Sequence, residues 1–317
     1  MATTSLADLA GRGQQPIQAD LAAMVPQPPM NAPMAAPMAA PMGGGINKQI
    51  EQEYFDRLDN DFEGLKSEYA QIVNARGENV TDGGRILNTD DARELSPHYR
   101  ADRTKSADVH EPSSALVKQM YADKLANPTP PGMDNTVVFT AGGTGAGKTT
   151  GLQQAMEVDP RLAQAEIVYD TNMNKFASAD QKIRQALDAG RNVSVVYTFR
   201  DPTEALTEGA LTRASRMEAE LGTGRTVPLD EHFKTHVGSY EVMKQLQDQY
   251  GDDHRFSMKI IDNSRGRNRA RVVSSLDELP KLDHTKVRKE LDDALENAYR
   301  TGKISQAIYQ GTRVNAR

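Results

Sequence analysis

Val137-Val138-Phe139-Thr140-Ala141-Gly142-Gly143-Thr144-Gly145-Ala146-Gly147-Lys148-Thr149-Thr150 combines an apolar, β-branched run, a glycine loop and the start of a helical stretch that reaches about Met156. The run reads as a buried strand. Gly142 to Thr149 satisfies G-x-x-x-x-G-K-[ST] in full, in the strand-then-helix context that the motif requires. Glycines let the backbone curl so that successive N–H groups converge on phosphate oxygens, and the helix N-terminus adds its dipole and free donors. Gly142, Gly143, Thr144, Gly145, Ala146, Gly147, Lys148, Thr149 and Thr150 are therefore the candidate nucleotide-binding residues. Lys148 is expected to reach the β- and γ-phosphates of ATP, and the Thr149 hydroxyl to ligate Mg²⁺.

Outward from this stretch, strand and helix patterns alternate. Strands are expected at Arg85–Asn88, Thr136–Thr140, Glu166–Tyr169, Val193–Phe199 and Phe256–Ile261, with a short one at Arg271–Ser274. Helices are expected at Pro112–Ala126, Ala179–Ala189, Pro202–Leu221 and Ser239–Tyr250, with two more from about Thr285. This order implies an α/β fold, a parallel sheet with helices on both faces, whose ligands sit at the carboxyl ends of the strands.

The chain has 317 residues with a formal net charge of −6, 38% hydrophobic and only 5% aromatic residues, and no Trp or Cys. Its mean hydropathy of −0.64 is low enough that part of the chain is not expected to contribute to a core. The deficit lies at the front. Residues 1–45 are rich in Pro, Ala, Met, Gln and Gly, and a proline every fourth residue (Pro33, Pro37, Pro41) prevents a helix from propagating; a flexible tail is expected. From Ile46 to Ile72, apolar residues at three- and four-residue steps predict one amphipathic helix of seven turns packed on the main domain. The expected division is 1–45 tail, 46–77 helical extension, 78–278 nucleotide-binding domain and 279–317 C-terminal helices.

No apolar run approaches the length of a membrane span, and the N-terminus lacks the basic-then-apolar pattern of a secretory signal, so a cytoplasmic protein without membrane partners is expected. The absence of cysteine excludes disulfides, thiolate metal sites and thiol nucleophiles. The mild acidity argues against nucleic acid as a general partner.

The glycine loop alone does not separate kinases from GTPases and mechanical ATPases. Asn172-Met173-Asn174-Lys175 lacks the aspartate of a guanine-reading N-K-x-D, and no apolar strand ends in an acid followed by glutamate. What remains are carboxylates at strand ends, Asp90, Asp170 and Asp262, each a candidate base or magnesium-orienting group. Arg213, Arg216 and Arg225 lie in a helical stretch ending at Gly222, Gly224 and Pro228, the pattern expected of a lid that brings cations to a transferring phosphoryl group.

These residues together resemble the zeta-toxin family of P-loop kinases, which phosphorylate UDP-N-acetylglucosamine. Asn88-Thr89-Asp90-Asp91-Ala92-Arg93-Glu94-Leu95-Ser96-Pro97-His98-Tyr99 is similar to the family's D-x-D-x-x-R-x-x-x-P-x-Y, with Asn88 in place of the first aspartate. Arg213 or Arg216, followed by Gly224-Arg225-Thr226-Val227-Pro228, resembles its lid, and Ile260-Ile261-Asp262-Asn263 its late V-x-D-N element. Tyr169-Asp170-Thr171-Asn172 resembles its acidic E/D-G-T element without the glycine. The order differs, because Asp90 precedes Gly142, whereas the base-bearing strand usually follows the P-loop. A permuted kinase is implied. Only 21 residues separate Thr149 from Asp170, too few to hold a second base-bearing strand as well.

The resemblance implies Asp90 as the base, Lys148, Arg213, Arg216 and Arg225 as catalytic cations, and Arg93, Asp170 and Asn172 as substrate contacts. It also implies Thr149 and Asp170 at Mg²⁺, a nucleotide sugar as acceptor, and a toxic outcome, with a protein antitoxin as partner, if that sugar is a cell-wall precursor. The alternatives are a nucleotide-binding component of a bacteriophage or mobile-element assembly and a kinase for another acceptor. His232, His236 and His254 lack metal-like spacing and are expected at the surface. Arg265, Arg267, Arg269 and Arg271 are expected on a solvated turn and edge strand, and His110-Glu111-Pro112-Ser113 as a helix cap.

Overall fold

The structure is a computed structural model that describes residues 46–74, 76–265 and 269–314; the tail read at 1–45, and Arg267, lie outside the described residues. Apolar runs near the glycine loop form the centre of a six-stranded sheet. β1 (Ile86–Asn88), β2 (Asp134–Ala141), β3 (Ala165–Asp170), β4 (Asn192–Phe199) and β5 (Phe256–Asp262) are parallel, and β6 (Arg271–Val273) is antiparallel at one edge, in the order β1-β3-β2-β4-β5-β6. The short β1 is the other edge, even though it comes first in the chain, and it pairs with β3 so that Asn88 faces Asp170. Both β3 and β4 flank β2, which places the glycine loop at the middle of the carboxyl edge.

Side chains of successive residues leave a strand on opposite faces. Val137 and Phe139 of β2, with Ile167 and Tyr169 of β3, join a large core with α5 (His110–Ala126), α7 (Phe176–Asp188) and α10 (Leu229–Tyr250). Val138, Val168, Val196 and Ile261 meet α6 (Lys148–Val158) on the other face. Continuous burial on both faces is why these strands lack a polar–apolar alternation.

The stretch 46–72 forms two helices rather than the single one expected: α1 (Lys48–Asn60) and α2 (Phe62–Tyr69). Asp61 leaves the helical region (φ −145°) and its carboxylate accepts from the Gly64 N–H, so it caps the second helix and ends the first. Ile50, Tyr54, Leu58, Leu65 and Tyr69 all enter the large core. The Tyr69 hydroxyl accepts from the Asn88 N–H at 2.7 Å and donates to the Ile86 carbonyl at 2.9 Å, tying α2 to the end of β1. Beyond β1 come the short helices α3 (Thr89–Ala92) and α4 (Pro97–Ala101), and the Tyr54 hydroxyl donates to the Ala92 carbonyl that ends α3.

After β4 the chain forms α8 (Pro202–Glu204), a π-helical segment at Ala205–Leu211 and α9 (Thr212–Leu221). α10 begins at Leu229, ten residues before the expected start. Gly238 lies inside the helix and lets it approach Asn174, whose carbonyl would be 2.6 Å from a Cβ at that position. The C-terminal α11 (His284–Arg300) and α12 (Gln306–Arg313) form a separate apolar cluster with Leu206, Leu211 and Ala214. No helix among the described residues is long and apolar enough to cross a membrane.

Candidate active site

The glycine loop leaves β2 at Gly142, whose N–H donates to the Asn172 carbonyl (3.1 Å), and enters α6 at Lys148. Gly145 and Gly147 have φ of +77° and +90°, conformations that other residues adopt only with strain. The loop is braced from behind by two elements distant in sequence. Asn263, just after β5, donates to the Ala146 carbonyl at 2.8 Å. His236 of α10 donates through Nε2 to the Thr144 carbonyl at 2.9 Å, and its ring fills the space that a side chain at position 143 would need. Thr235 Oγ1 accepts from the Thr144 N–H at 3.3 Å.

His236 and His232 are therefore buried, with 4% and 0% exposure, and not at the surface as expected; only His254 is. Four residues apart, they share one helix face with their rings 4.5 Å apart, and His232 Nε2 donates to the Pro202 carbonyl at the start of the arginine-bearing stretch. Burial pushes His232 down to about 4 and His236 well below the ordinary histidine range, so both are neutral near pH 7. The unfolded chain binds a proton at His232 below about pH 6.5 and the folded chain does not until about pH 4, so stability is lost as pH falls through that window. For a 0% exposed group the loss is about 3 kcal/mol from His232 alone. His232→Gln, which keeps a donor for Pro202 but does not titrate, is expected to flatten the fall in thermal midpoint between pH 7 and pH 4.5. Parallel melting curves of the two proteins check this, and an equally steep fall in the variant would contradict it.

At the carboxyl edge, Asn88 and Asp170 end β1 and β3, and Thr140 is the last but one residue of β2. Asp170 accepts from Asn88 Nδ2 at 2.9 Å and from the Thr140 hydroxyl. Asn88 Oδ1 accepts from the Asp90 N–H at 2.7 Å, so Asn88 is the cap of α3, and the Asp90 carboxylate points elsewhere. It meets Arg225 at 2.7 Å and Arg93 at 3.2 Å. Enclosure in the cavity would raise the Asp90 carboxyl, but the Arg225 and Arg93 guanidiniums, with Lys148 further off, outweigh this and hold it at about 2. Arg93 is itself buried, donating to Ser106 Oγ and to His110 Nδ1, both at 2.7 Å. His110 thus receives a hydrogen bond inside the site. It does not act as the helix cap expected of His110–Ser113, since α5 begins without a side-chain cap. Asp262 is committed to its own loop, accepting from Ser264 and Arg271, and takes no part in the site.

Asp90, Arg93, Lys148, Asp170, Asn172, Arg213 and Arg225 line one cavity of about 480 Å³, together with Thr144 and Gly145 of the loop. Lys148 Nζ donates to Asn172 Oδ1 at 2.8 Å. Thr149 and Thr150 stand exposed on the first turn of α6. Arg216 is not among the lining residues. Three positions beyond Arg213, it emerges on the solvent side of α9 and lies 4.0 Å from Glu220, one turn on, so the catalytic expectation fails for this residue. The π-helical turns bring Gly209 against Gly145, with only 2.9 Å between the Gly145 Cα and a Cβ at 209, so the arginine-bearing segment contacts the glycine loop backbone to backbone.

The family model for zeta toxin matches residues 152–270, from within α6 through β3, β4, the arginine-bearing segment and β5 to the residue before β6. This segment is similar to the zeta-toxin family. The family is P-loop kinase-like, in agreement with the α/β sheet and the glycine loop before the matched segment. The zeta-toxin match covers a little over a third of the chain and leaves out both the glycine loop and Asp90. No curated protein matches the chain.

Within the zeta-toxin segment, sequence reasoning missed His232 and His236, whose i, i+4 spacing was the available signal, and Arg200. Arg200 follows the last residue of β4, pairs with Glu208 at 2.6 Å and reaches toward the Gly145 carbonyl.

Proposed function

We propose that the chain is an ATP-dependent kinase that transfers the γ-phosphoryl group to a hydroxyl of a nucleotide sugar, with Asp90 as the base. The observation that carries this reading is the convergence of Asp90, Lys148 and the lid arginines Arg213 and Arg225 on one cavity, although they come from three separate parts of the chain. The position of β1 beside β3 supports the permuted arrangement, because a parallel sheet needs its strand ends at one edge, whatever their order in the chain.

The backbone of Gly142–Lys148 would cradle the donor phosphates, and Lys148 would exchange Asn172 for a phosphate oxygen. Asp170 fits Mg²⁺, since each of its oxygens retains acceptor capacity beyond its present bond, and the Thr149 hydroxyl would join it from the first turn of α6. No group of three or more acidic or histidine ligands occurs among the described residues, which suits an ion held by one or two protein oxygens and by phosphate. When bound, Mg²⁺ neutralises charge on the β- and γ-phosphates.

Asp90 would take the proton of the acceptor hydroxyl as that oxygen bonds to the γ-phosphorus and the bond from phosphorus to the β–γ bridging oxygen breaks, releasing ADP. Held at about 2 by Arg225, Asp90 is a weak base before substrates bind. Movement of Arg225 onto the phosphoryl group would supply charge to the transition state and restore basicity to Asp90 in the same displacement. The test is incubation with Mg·ATP and UDP-N-acetylglucosamine, with other hydroxyl acceptors in parallel and Lys148→Ala as the inactive control, read by mass spectrometry. A phosphorylated nucleotide sugar formed by the wild type and not by the control is expected. ATP hydrolysis indifferent to every acceptor would overturn the reading.

A further inference from the structure

Lys148 and the two lid arginines answer the charge of a donor triphosphate, yet the cavity holds more cation than that. Seven basic side chains line it against three acidic ones, Asp90, Asp170 and Glu111, among the described residues. The excess lies on α5 and α7, which carry no part of the mechanism above. Ser114 and Lys118 of α5 are four residues apart and share one face, and so are Ser178 and Lys182 of α7. All four line the cavity. Two helices 64 positions apart in the chain therefore present the same pair, a hydroxyl and an ammonium one turn apart, to one space.

Among the described residues, no carboxylate forms an ion pair with either lysine. Lys182 Nζ donates to Ser178 Oγ at 2.6 Å and to the Ser178 carbonyl at 3.2 Å. Burial, and then the neighbouring Lys118, depress its ammonium to about 8, and no carboxylate acts on it. Asp180, two positions before Lys182 on the same helix, is engaged by Arg184, Gln249 and Tyr250. Two like charges brought together, one of them partly desolvated, are unfavourable unless an anion joins them.

We propose that Lys118 and Lys182, with Ser114 and Ser178, form a second phosphate-binding subsite, which holds the phosphate or diphosphate of the acceptor while the glycine loop holds the donor. The subsite deepens the kinase reading and rests on it for the acceptor's role. It selects acceptors whose hydroxyl is tethered to a phosphate over neutral sugars. Two ammoniums and two hydroxyls supply the donors that a phosphate dianion or a diphosphate accepts.

Two measurements test it. With the glycine loop filled by saturating Mg·ADP, inorganic pyrophosphate is titrated calorimetrically into the full chain and into Lys118→Ala/Lys182→Ala. Binding to the wild type, weakened at least about tenfold in the double variant, is expected. In acceptor kinetics, each single substitution is expected to raise KM for UDP-N-acetylglucosamine about tenfold with a much smaller change in kcat, and Lys118→Arg or Lys182→Arg to recover most of the loss. Both lysines are on the cavity surface, so the fold is not at stake, and unchanged melting curves check this. Pyrophosphate that binds wild type and double variant equally, or fails to bind either, would overturn the subsite, as would an unchanged acceptor KM. Pyrophosphate binding lost in the variant, with no acceptor phosphorylated by the wild type, would instead retain the subsite and reject the kinase reading.

Discussion

Asp90→Asn is expected to lower the kcat of acceptor phosphorylation by about 10²–10⁴-fold, the range that a positioned general base supplies. The amide keeps the size and shape of the side chain but cannot take a proton. The α3 cap is untouched, because it belongs to Asn88. KM for ATP should change little, since the glycine loop and Lys148 are held by Asn172, Asn263 and His236 and not by Asp90. Steady-state kinetics with varied ATP and acceptor, beside a melting curve, separate this result from a folding defect. A variant with a few-fold effect on kcat would move the base elsewhere, with Asp170 the next carboxylate in the cavity.

Arg225→Ala should cost about 10³-fold or more in kcat, as loss of a transition-state arginine does. It also changes the base. With Arg225 absent, Asp90 loses its strongest lowering influence, while the enclosure that raises it remains, so its pKa moves up from about 2. The sign follows directly: a base with a higher pKa is protonated at a higher pH. The acidic limb of kcat/KM should therefore shift upward in Arg225→Ala relative to wild type, a displacement that a merely structural defect would not produce. An unshifted limb would mean that Arg225 does not govern the ionisation of Asp90.

Much of the sheet was legible because parallel strands buried on both faces are written as continuous apolar runs, and Val137–Thr140 and Val193–Phe199 announce themselves this way. The glycine loop was legible because its chemistry demands residue types at fixed spacing. The helix boundaries were less so. Asp61 breaks 46–72 by capping, a local competition that hydrophobic periodicity does not register, and α10 runs through Gly238, which serves a close approach. Arg213 and Arg216 could not be told apart by spacing, since only the packing of the lid on the C-terminal cluster decides which one turns inward. The paired lysines were invisible for the same reason, and the i, i+4 spacing of His232 and His236 shows a shared helix face but not what that face packs against. His236 gains its role from a loop 92 positions earlier, and Lys118 and Lys182 meet only because α5 and α7 lie on the same face of the sheet.

On the proposed reading, the cavity between the glycine loop and β1 passes a phosphoryl group to a hydroxyl. ATP labelled in its γ-phosphoryl group, reacted with UDP-N-acetylglucosamine and the full chain, tests it most directly through the fate of the label. Label recovered on the nucleotide sugar in step with ADP formation is the predicted result; label recovered only as inorganic phosphate, at a rate the acceptor does not alter, would contradict it.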